Sequence, residues 1–486
     1  MPPVANADEV AGWSDEVDVV VVGLGIAGGC AALEAARAGA RVLVLERAAV
    51  AGGTSAMAGG HFYLGGGTAV QRATGHADSA EQMAAYLRAV SPAPDEAKIV
   101  AYCQDSVLHF EWLEELGFAF ERSYYPEKAV IQPGTQGLMY TGNELVWPFC
   151  EQTRPAPRGH KVPVPGDTGG ARLVIDLLVE RLAQAGAQVR YETGARHLVT
   201  DESGAVVGVG WRSAGHVGAI RASAVVLAAG GFVMNRDMVA RHAPLLATKP
   251  YVLGSTFDDG LGIRLGMSVG GATEQMDSAF LTAPVYPPVA HLSGIIVNAQ
   301  GRRFVAEDSY HARTSAAVME QPEQRAYLIV DEAHLRKHDF ELVPFIDGWE
   351  SIDEMAVGLG LPAAQLRQTI SRYSQFAADG VDTELHKASG YLAPLDRGPW
   401  AAFDLSLGKA SYAGFTLGGL RTSVDGEVCD NSSGMPIRGL YAAGACASGL
   451  AQDGKGYASG LQLGDGSYFG RRAGRHAASV ARVAAE

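Results

Sequence analysis

Residues 17–47, VDVVVVGLGIAGGCAALEAARAGARVLVLER, constrain this chain more than any other stretch. They hold Gly23, Gly25 and Gly28 in G-x-G-x-x-G spacing, then an acid, Glu46, 23 residues after the first glycine. The glycines alone carry little. With 61 glycines in 486 residues, such a triplet recurs by chance about once per chain. Their setting carries the argument: VDVVVVG reads as a buried parallel strand, IAGGCAALEAARAG as a small-residue helix and RVLVLE as a second strand. Glycines permit the tight turn, the approach of backbone to a pyrophosphate and close packing of helix on sheet. Glu46 is placed to accept hydrogen bonds from a ribose diol. An acid there suits a ribose without a 2′-phosphate, hence FAD or NAD rather than NADP.

At 486 residues the chain exceeds one typical domain and predicts two or three. Its net charge of −14, from 39 basic and 53 acidic residues, provides no electrostatic footprint for nucleic acid or anionic membranes. The uncharged stretch 19–33 is too short and glycine-rich to span a bilayer, so no transmembrane segment is expected. The opening MPPVANADEVAGWSDE lacks the basic and apolar regions of a signal peptide. Five cysteines, Cys30, Cys103, Cys150, Cys429 and Cys446, are scattered without a C-x-x-C. Buried thiols in a cytoplasmic protein are the expectation, with no metal site.

Further along stand AAVAGGTSAMAGGHFYLGGGT, a second glycine-rich loop with Thr54 and Ser55, and two strand-and-turn pieces, ASAVVLAAGGFVMNRDM and RGLYAAGACASG. The loop suits a ligand longer than NAD, and the distant pieces must return to the first sheet. Taken together, GLGIAGGCAALEAARAGARVLVLER, GGTSAMAGG, VVLAAGGFVMN and GLYAAGACASG resemble the flavoprotein family of fumarate reductases and 3-ketosteroid dehydrogenases. The resemblance implies an α/β protein: a Rossmann-like FAD-binding domain split in sequence (1–276 and 404–486) with an inserted α+β catalytic cap at 277–403. The cap's opening, SGIIVNAQGRRFVAED, reads as two strands joined by a turn at Asn298 to Gly301, and LPAAQLRQTISRYSQFAADG as a helix ending at Gly380. Noncovalent FAD is implied, no histidine standing in the family's usual attachment position near GGTSAMAGG. The implied contacts are Gly23, Gly25, Ala27, Gly28, Glu46, Arg47, Gly53, Thr54, Ser55, Gly60, Ala195, Ala229, Gly230, Gly444, Ala445, Leu461 and Leu463.

Substrate residues follow by the same comparison. Fumarate-reducing members carry a proton-donating arginine within a stretch like RFVNE…TRD…S; against RRFVAEDSYHARTSAA that position falls on His311, after Tyr310 and two residues before Arg313. The dicarboxylate clamp near their C-terminus is replaced by GKGYASGLQLGDGSYFG. A dianion needs fixed cations, whereas this chain offers tyrosine, serine and glycine, which suits a neutral, apolar substrate. Tyr310 with Tyr457-x-Ser459 is most similar to the 3-ketosteroid Δ4-(5α)-dehydrogenases. The implied reaction oxidises a 3-keto-5α-steroid to the Δ4-3-ketosteroid. Tyr457 is the expected C4 base, Ser459 its relay, Tyr310 a support from the cap, and backbone N–H groups around Gly460 the oxyanion site. The hydride passes from C5 to the flavin, and a quinone or another flavoprotein takes the electrons. Alternatives are a Δ1-dehydrogenase, a flavin enone reductase and a noncatalytic flavin-binding protein. His311 and Arg313 read as solvated or structural. Tyr124, Tyr125, Met139, Tyr140 and Trp147 suit an apolar pocket or a core, RGHKVPVPGDTGG (158–170) a domain-joining loop, and Asp258-Asp259-Gly260 a turn before a helix.

Overall fold

A run of valines with no polar alternation belongs to a strand buried on both faces, which only a parallel sheet covered by helices provides. The computed structural model describes residues 1–485 apart from 167–168, 249–250 and 339–341, and in it Val19–Val22 are 0–4% exposed. Their strand, Asp15–Val22, pairs in parallel with Val42–Leu45 on one side and His216–Leu227 on the other. Gln188–Arg190 extends the array beyond Val42–Leu45. The strand His216–Leu227 serves two partners along one edge. Its first half pairs antiparallel with Val206–Ser213, and its last three residues pair in parallel with Pro436–Ala442. One nine-stranded sheet is thus assembled from segments some 400 residues apart in sequence.

Two helices close its working face. Ile26–Arg37 follows the first strand, and the long helix Leu461–Ala485 lies against it. The fit comes from glycines four residues apart. A Cβ on Gly470 would stand 2.3 Å from the Ala27 carbonyl oxygen, and one on Gly474 2.0 Å from that of Ala31. Neither position tolerates a side chain without the helices separating.

The middle of the chain builds an antiparallel sheet of four strands in the order Ile295–Asn298, Ala326–Asp331, Trp400–Asp404, Phe345–Trp349. The helix Ala363–Asp379 packs on it through Leu366, Ile370 and Tyr373 and ends at Gly380, φ 72°. The expected second strand after the Asn298–Gly301 turn does not form. Only an isolated bridge joins Val297 to Arg303, because Arg303 turns inward to a buried ion cluster. Its Nη2 lies 2.8 Å from Glu307 and 2.9 Å from Asp382, while Lys387 Nζ stands 3.3 Å from Glu307.

The stretch 158–170 is likewise more than a connecting loop. Gly159–Lys161 is the middle strand of a small sheet between His61–Tyr63 and Leu138–Met139. Arg158 is fully buried on Asp78 at 2.8 Å. The polar residues that disguised this strand are paired inside; Asp167 and Thr168 lie outside the described residues. Among the described residues, no helix is long and apolar enough to cross a membrane.

Candidate active site

A cavity of about 680 Å³ opens beyond the carboxyl ends of the strands Asp15–Val22, His216–Leu227 and Pro436–Ala442. This is where open α/β sheets bind ligands. At one end the tight turn does what its spacing implied. Gly23 has φ 102°, and a Cβ there would lie 2.4 Å from the Ala228 carbonyl oxygen. A Cβ on Gly28 would come within 2.0 Å of the Gly23 carbonyl oxygen. Gly25 begins the helix Ile26–Arg37 without a side-chain cap, so its first-turn N–H groups lack intrahelical acceptors, and Ile26 and Ala27 border the cavity. Ser55 Oγ accepts the Ile26 N–H at 3.1 Å.

Glu46 is 8% exposed and held from both sides. One oxygen accepts the Leu24 N–H at 2.8 Å, the other the Ala48 N–H at 2.7 Å, which leaves each a lone pair for a hydroxyl. Arg47 is tied to Asp259 at 2.7 Å and lies over the Phe257 ring. The Thr54 hydroxyl donates to Asp258 and accepts the Ser255 N–H at 2.7 Å, and burial lifts the Asp258 carboxyl to about 6. Gly230 leaves room for that carboxylate, since a Cβ there would be 2.0 Å from Asp258 Oδ1. Gly53, Ala195, Ala229, Gly444, Ala445 and Leu463 border the same cavity, while Gly28, Gly60 and Leu461 stand behind its wall. Backbone donors, a glycine cradle that any Cβ would fill and a fixed acid form a donor set suited to FAD.

At the opposite end Tyr310, Tyr457, Ser459 and Gly460 meet. Tyr310 Oη and Ser459 Oγ are 2.9 Å apart, joining the start of the helix His311–Met319 to the C-terminal segment. The Tyr457 hydroxyl lies near the backbone N–H of Gln462, in the first turn of the helix Leu461–Ala485. Both phenols are almost fully buried, and desolvation holds each above the usual tyrosine range. Gly460, φ 93°, passes so close to the His61–Tyr63 strand that a Cβ would stand 2.9 Å from Tyr63 N. Phe280 and Phe415 stack at 4.7 Å and meet the Tyr457 ring edge-on at 4.7 and 5.8 Å.

His311 is not solvated. It is 3% exposed, its Nδ1 lies 2.6 Å from Thr282 Oγ1, and burial keeps the ring neutral down to about 3. Arg313 is structural: it donates to the Trp147 carbonyl at 2.9 Å and covers the Phe149 ring. Among the described residues that border the cavity, the arginines are Arg47 and Arg172, each paired with an aspartate. Neither is left for a substrate carboxylate.

Phe280, Phe415, Arg172 and His61 escaped the sequence reading. His61 directly follows the glycine loop, borders the cavity, and shares a 2.7 Å hydrogen bond with Gln132. Its position after GGTSAMAGG was the available signal; the two phenylalanines carried none. Tyr124, Tyr125, Met139, Tyr140 and Trp147 are not among the lining residues, and Met139 is core.

The family model for the FAD binding domain matches residues 18–458. The 3-oxo-5-alpha-steroid 4-dehydrogenase of Comamonas testosteroni is 30% identical over 91% of this chain and 94% of its own length. The vinyl phenol reductase of Lactiplantibacillus plantarum is 27% identical over 96% and 97%. Among solved structures, the 3-ketosteroid-delta4-(5alpha)-dehydrogenase from Rhodococcus jostii RHA1, in complex with 4-androstene-3,17-dione, has a TM-score of 0.93 at 41% identity. That match covers 98% of this chain and 100% of the other.

Proposed function

This chain belongs to the FAD binding domain family and is an FAD-dependent oxidoreductase, and on that footing we propose that it oxidises a 3-keto-5α-steroid to the Δ4-3-ketosteroid. The observation that carries the reading is the meeting of Tyr310–Ser459 with Tyr457 in an aromatic wall that, among the described residues, offers no arginine or lysine outside an ion pair. The cofactor end, from Gly23 to Glu46, holds the dinucleotide without a covalent bond, and the segments 1–276 and 404–486 form its domain around the cap at 277–403. When bound, FAD supplies the two-electron acceptor for the hydride leaving C5.

The chain's own groups manage the proton and the charge. Removing the C4 proton places negative charge on the 3-keto oxygen, which needs a donor aimed at it. Tyr457 suits this role: it borders the cavity, and burial keeps its phenol protonated, so the proton is available to the ketone. The Gly460 N–H is placed to assist. The C4 proton then passes to Ser459 Oγ as that hydroxyl yields its own proton to Tyr310 Oη in its ionised, phenolate form, so the tyrosine of the cap is the ultimate base and ends as the neutral phenol. The sequence expectation made Tyr457 the base and Tyr310 a support; we instead assign the base to Tyr310, because the serine bonds to it, and the donor to the ketone to Tyr457. Phe280 and Phe415 exclude water and hold an apolar ring system. An external acceptor, a quinone or another flavoprotein, completes turnover.

Anaerobic mixing of the oxidised holoprotein with a 5α-androstan-3-one tests this directly. Bleaching of the flavin with formation of a Δ4-enone is expected. A Δ1-enone product would move the double bond to the other side of the ketone. No bleaching, with reoxidation of the dithionite-reduced protein by an enone, would make it a reductase.

A further inference from the structure

The Tyr310–Ser459 pair joins two segments 149 residues apart, and something must hold them at hydrogen-bonding distance. The turn around Thr141, Gly142 and Asn143, from the N-terminal part of the chain, lies between them. Asn143 is completely buried, and each of its polar groups is used. Its backbone N–H donates to Tyr86 Oη at 2.8 Å, and its carbonyl accepts the Val146 N–H at 2.9 Å. Its side chain reaches in two directions. Oδ1 accepts the backbone N–H of Tyr310 at 2.9 Å, and Nδ2 donates to the Lys455 carbonyl at 3.0 Å, two residues before Tyr457. Two residues earlier, the Thr141 carbonyl accepts the Ser459 N–H at 2.9 Å. A single turn therefore clamps the main chain beneath both hydroxyls and beneath the second tyrosine.

We propose that Asn143 is a positioning residue for the oxidation: it sets the Tyr310–Ser459 distance across the boundary between cap and cofactor domain without touching the substrate. This rests on the reading of that pair as the proton relay. The chemistry of the amide supports it. Tyr310 is the N-cap of the helix His311–Met319, so its N–H has no acceptor within that helix and needs one supplied from outside. Lys455 presents a carbonyl, which needs a donor. A primary amide provides both on a short arm; aspartate would provide the acceptor alone and alanine neither. A displacement of about 1 Å at a relay costs about 100-fold in rate.

A double-mutant cycle on the holoenzyme separates positioning from bulk stability. Asn143→Ala is expected to lower kcat about 10- to 100-fold with FAD content retained and KM little changed. Placed in Ser459→Ala, the same substitution is expected to cost less than about 2-fold, since the distance it governs no longer matters. Asn143→Asp, which keeps the acceptor for Tyr310, is expected to fall between wild type and Asn143→Ala, and it replaces the alanine variant in the cycle if that protein fails to fold. Losses that multiply across the two backgrounds, or an Asn143 variant with full kcat beside a slow Ser459→Ala, overturn the proposal. Full turnover by Ser459→Ala removes the relay itself, and the inference with it.

Discussion

Tyr457 and Tyr310 each carry a phenol that burial holds above its ordinary range, and the direction of that shift has a kinetic consequence. A base that stays protonated at neutral pH gains in ionised fraction with each rise in pH. The rate of flavin reduction is therefore expected to climb through the neutral and alkaline range with no plateau below a pH of about 10. Stopped-flow reduction across pH checks this, and a plateau near pH 7 would assign the proton to another group. Tyr457→Phe removes the proposed donor to the ketone while leaving the ring against Phe280 and Phe415; a loss of about 100- to 1,000-fold in kcat is expected, with FAD retained. Glu46→Ala would strand the N–H groups of Leu24 and Ala48 besides losing a ribose contact. A weakening of FAD affinity of at least about 10-fold is expected, read by flavin fluorescence during dilution. Unchanged retention would detach Glu46 from the ribose. These residues differ in how they were found. Gly23, Gly25, Gly28 and Glu46 announce themselves because strand, turn and helix are contiguous, whereas Phe280, Phe415 and Asn143 reach the site only through long-range folding.

Among the elements, the helix pair Ile26–Arg37 and Leu461–Ala485 carries the sharpest expectation. Glycine inside a helix ordinarily costs about 1 kcal/mol relative to alanine, so Gly→Ala at an open helical position stabilises. At Gly474 the sign reverses, because the new Cβ would meet the Ala31 carbonyl oxygen at 2.0 Å. Gly474→Ala is expected to destabilise by about 1–3 kcal/mol in denaturant titrations and to loosen FAD, since the far end of that helix carries Gly460 and Leu463. A more stable variant would show that the helices part freely. Element-level misreadings have a common cause. Arg303 looks like a strand residue until Asp382, 79 positions later, supplies its partner. Gly159–Lys161 looks like a loop until Asp78 neutralises Arg158 beside it. Local pattern registers polarity, and only the folded chain registers that the polarity is paired.

At the scale of the molecule, the central sheet draws on residues 15–22, 42–45, 216–227 and 436–442, so no terminal piece is dispensable. The cavity lies where those segments converge, so with FAD held there its binding would be linked to the folding of the whole. Free FAD at about 100 times its Kd is expected to raise stability by about 2.7 kcal/mol and to move one thermal transition upward as a unit. Calorimetry with and without added FAD reads this; a transition untouched by FAD would locate the flavin away from the sheet. The close seating of the last helix on the first has a bearing on time. During synthesis the turn at Gly23 precedes the strand Pro436–Ala442 and the helix Leu461–Ala485 by some 400 residues. Until they arrive, the helix Ile26–Arg37 has an uncovered flank and the cavity lacks a wall. A copy that stops before Pro436 is therefore expected to bind no flavin and to stay colourless, which its visible absorbance reads.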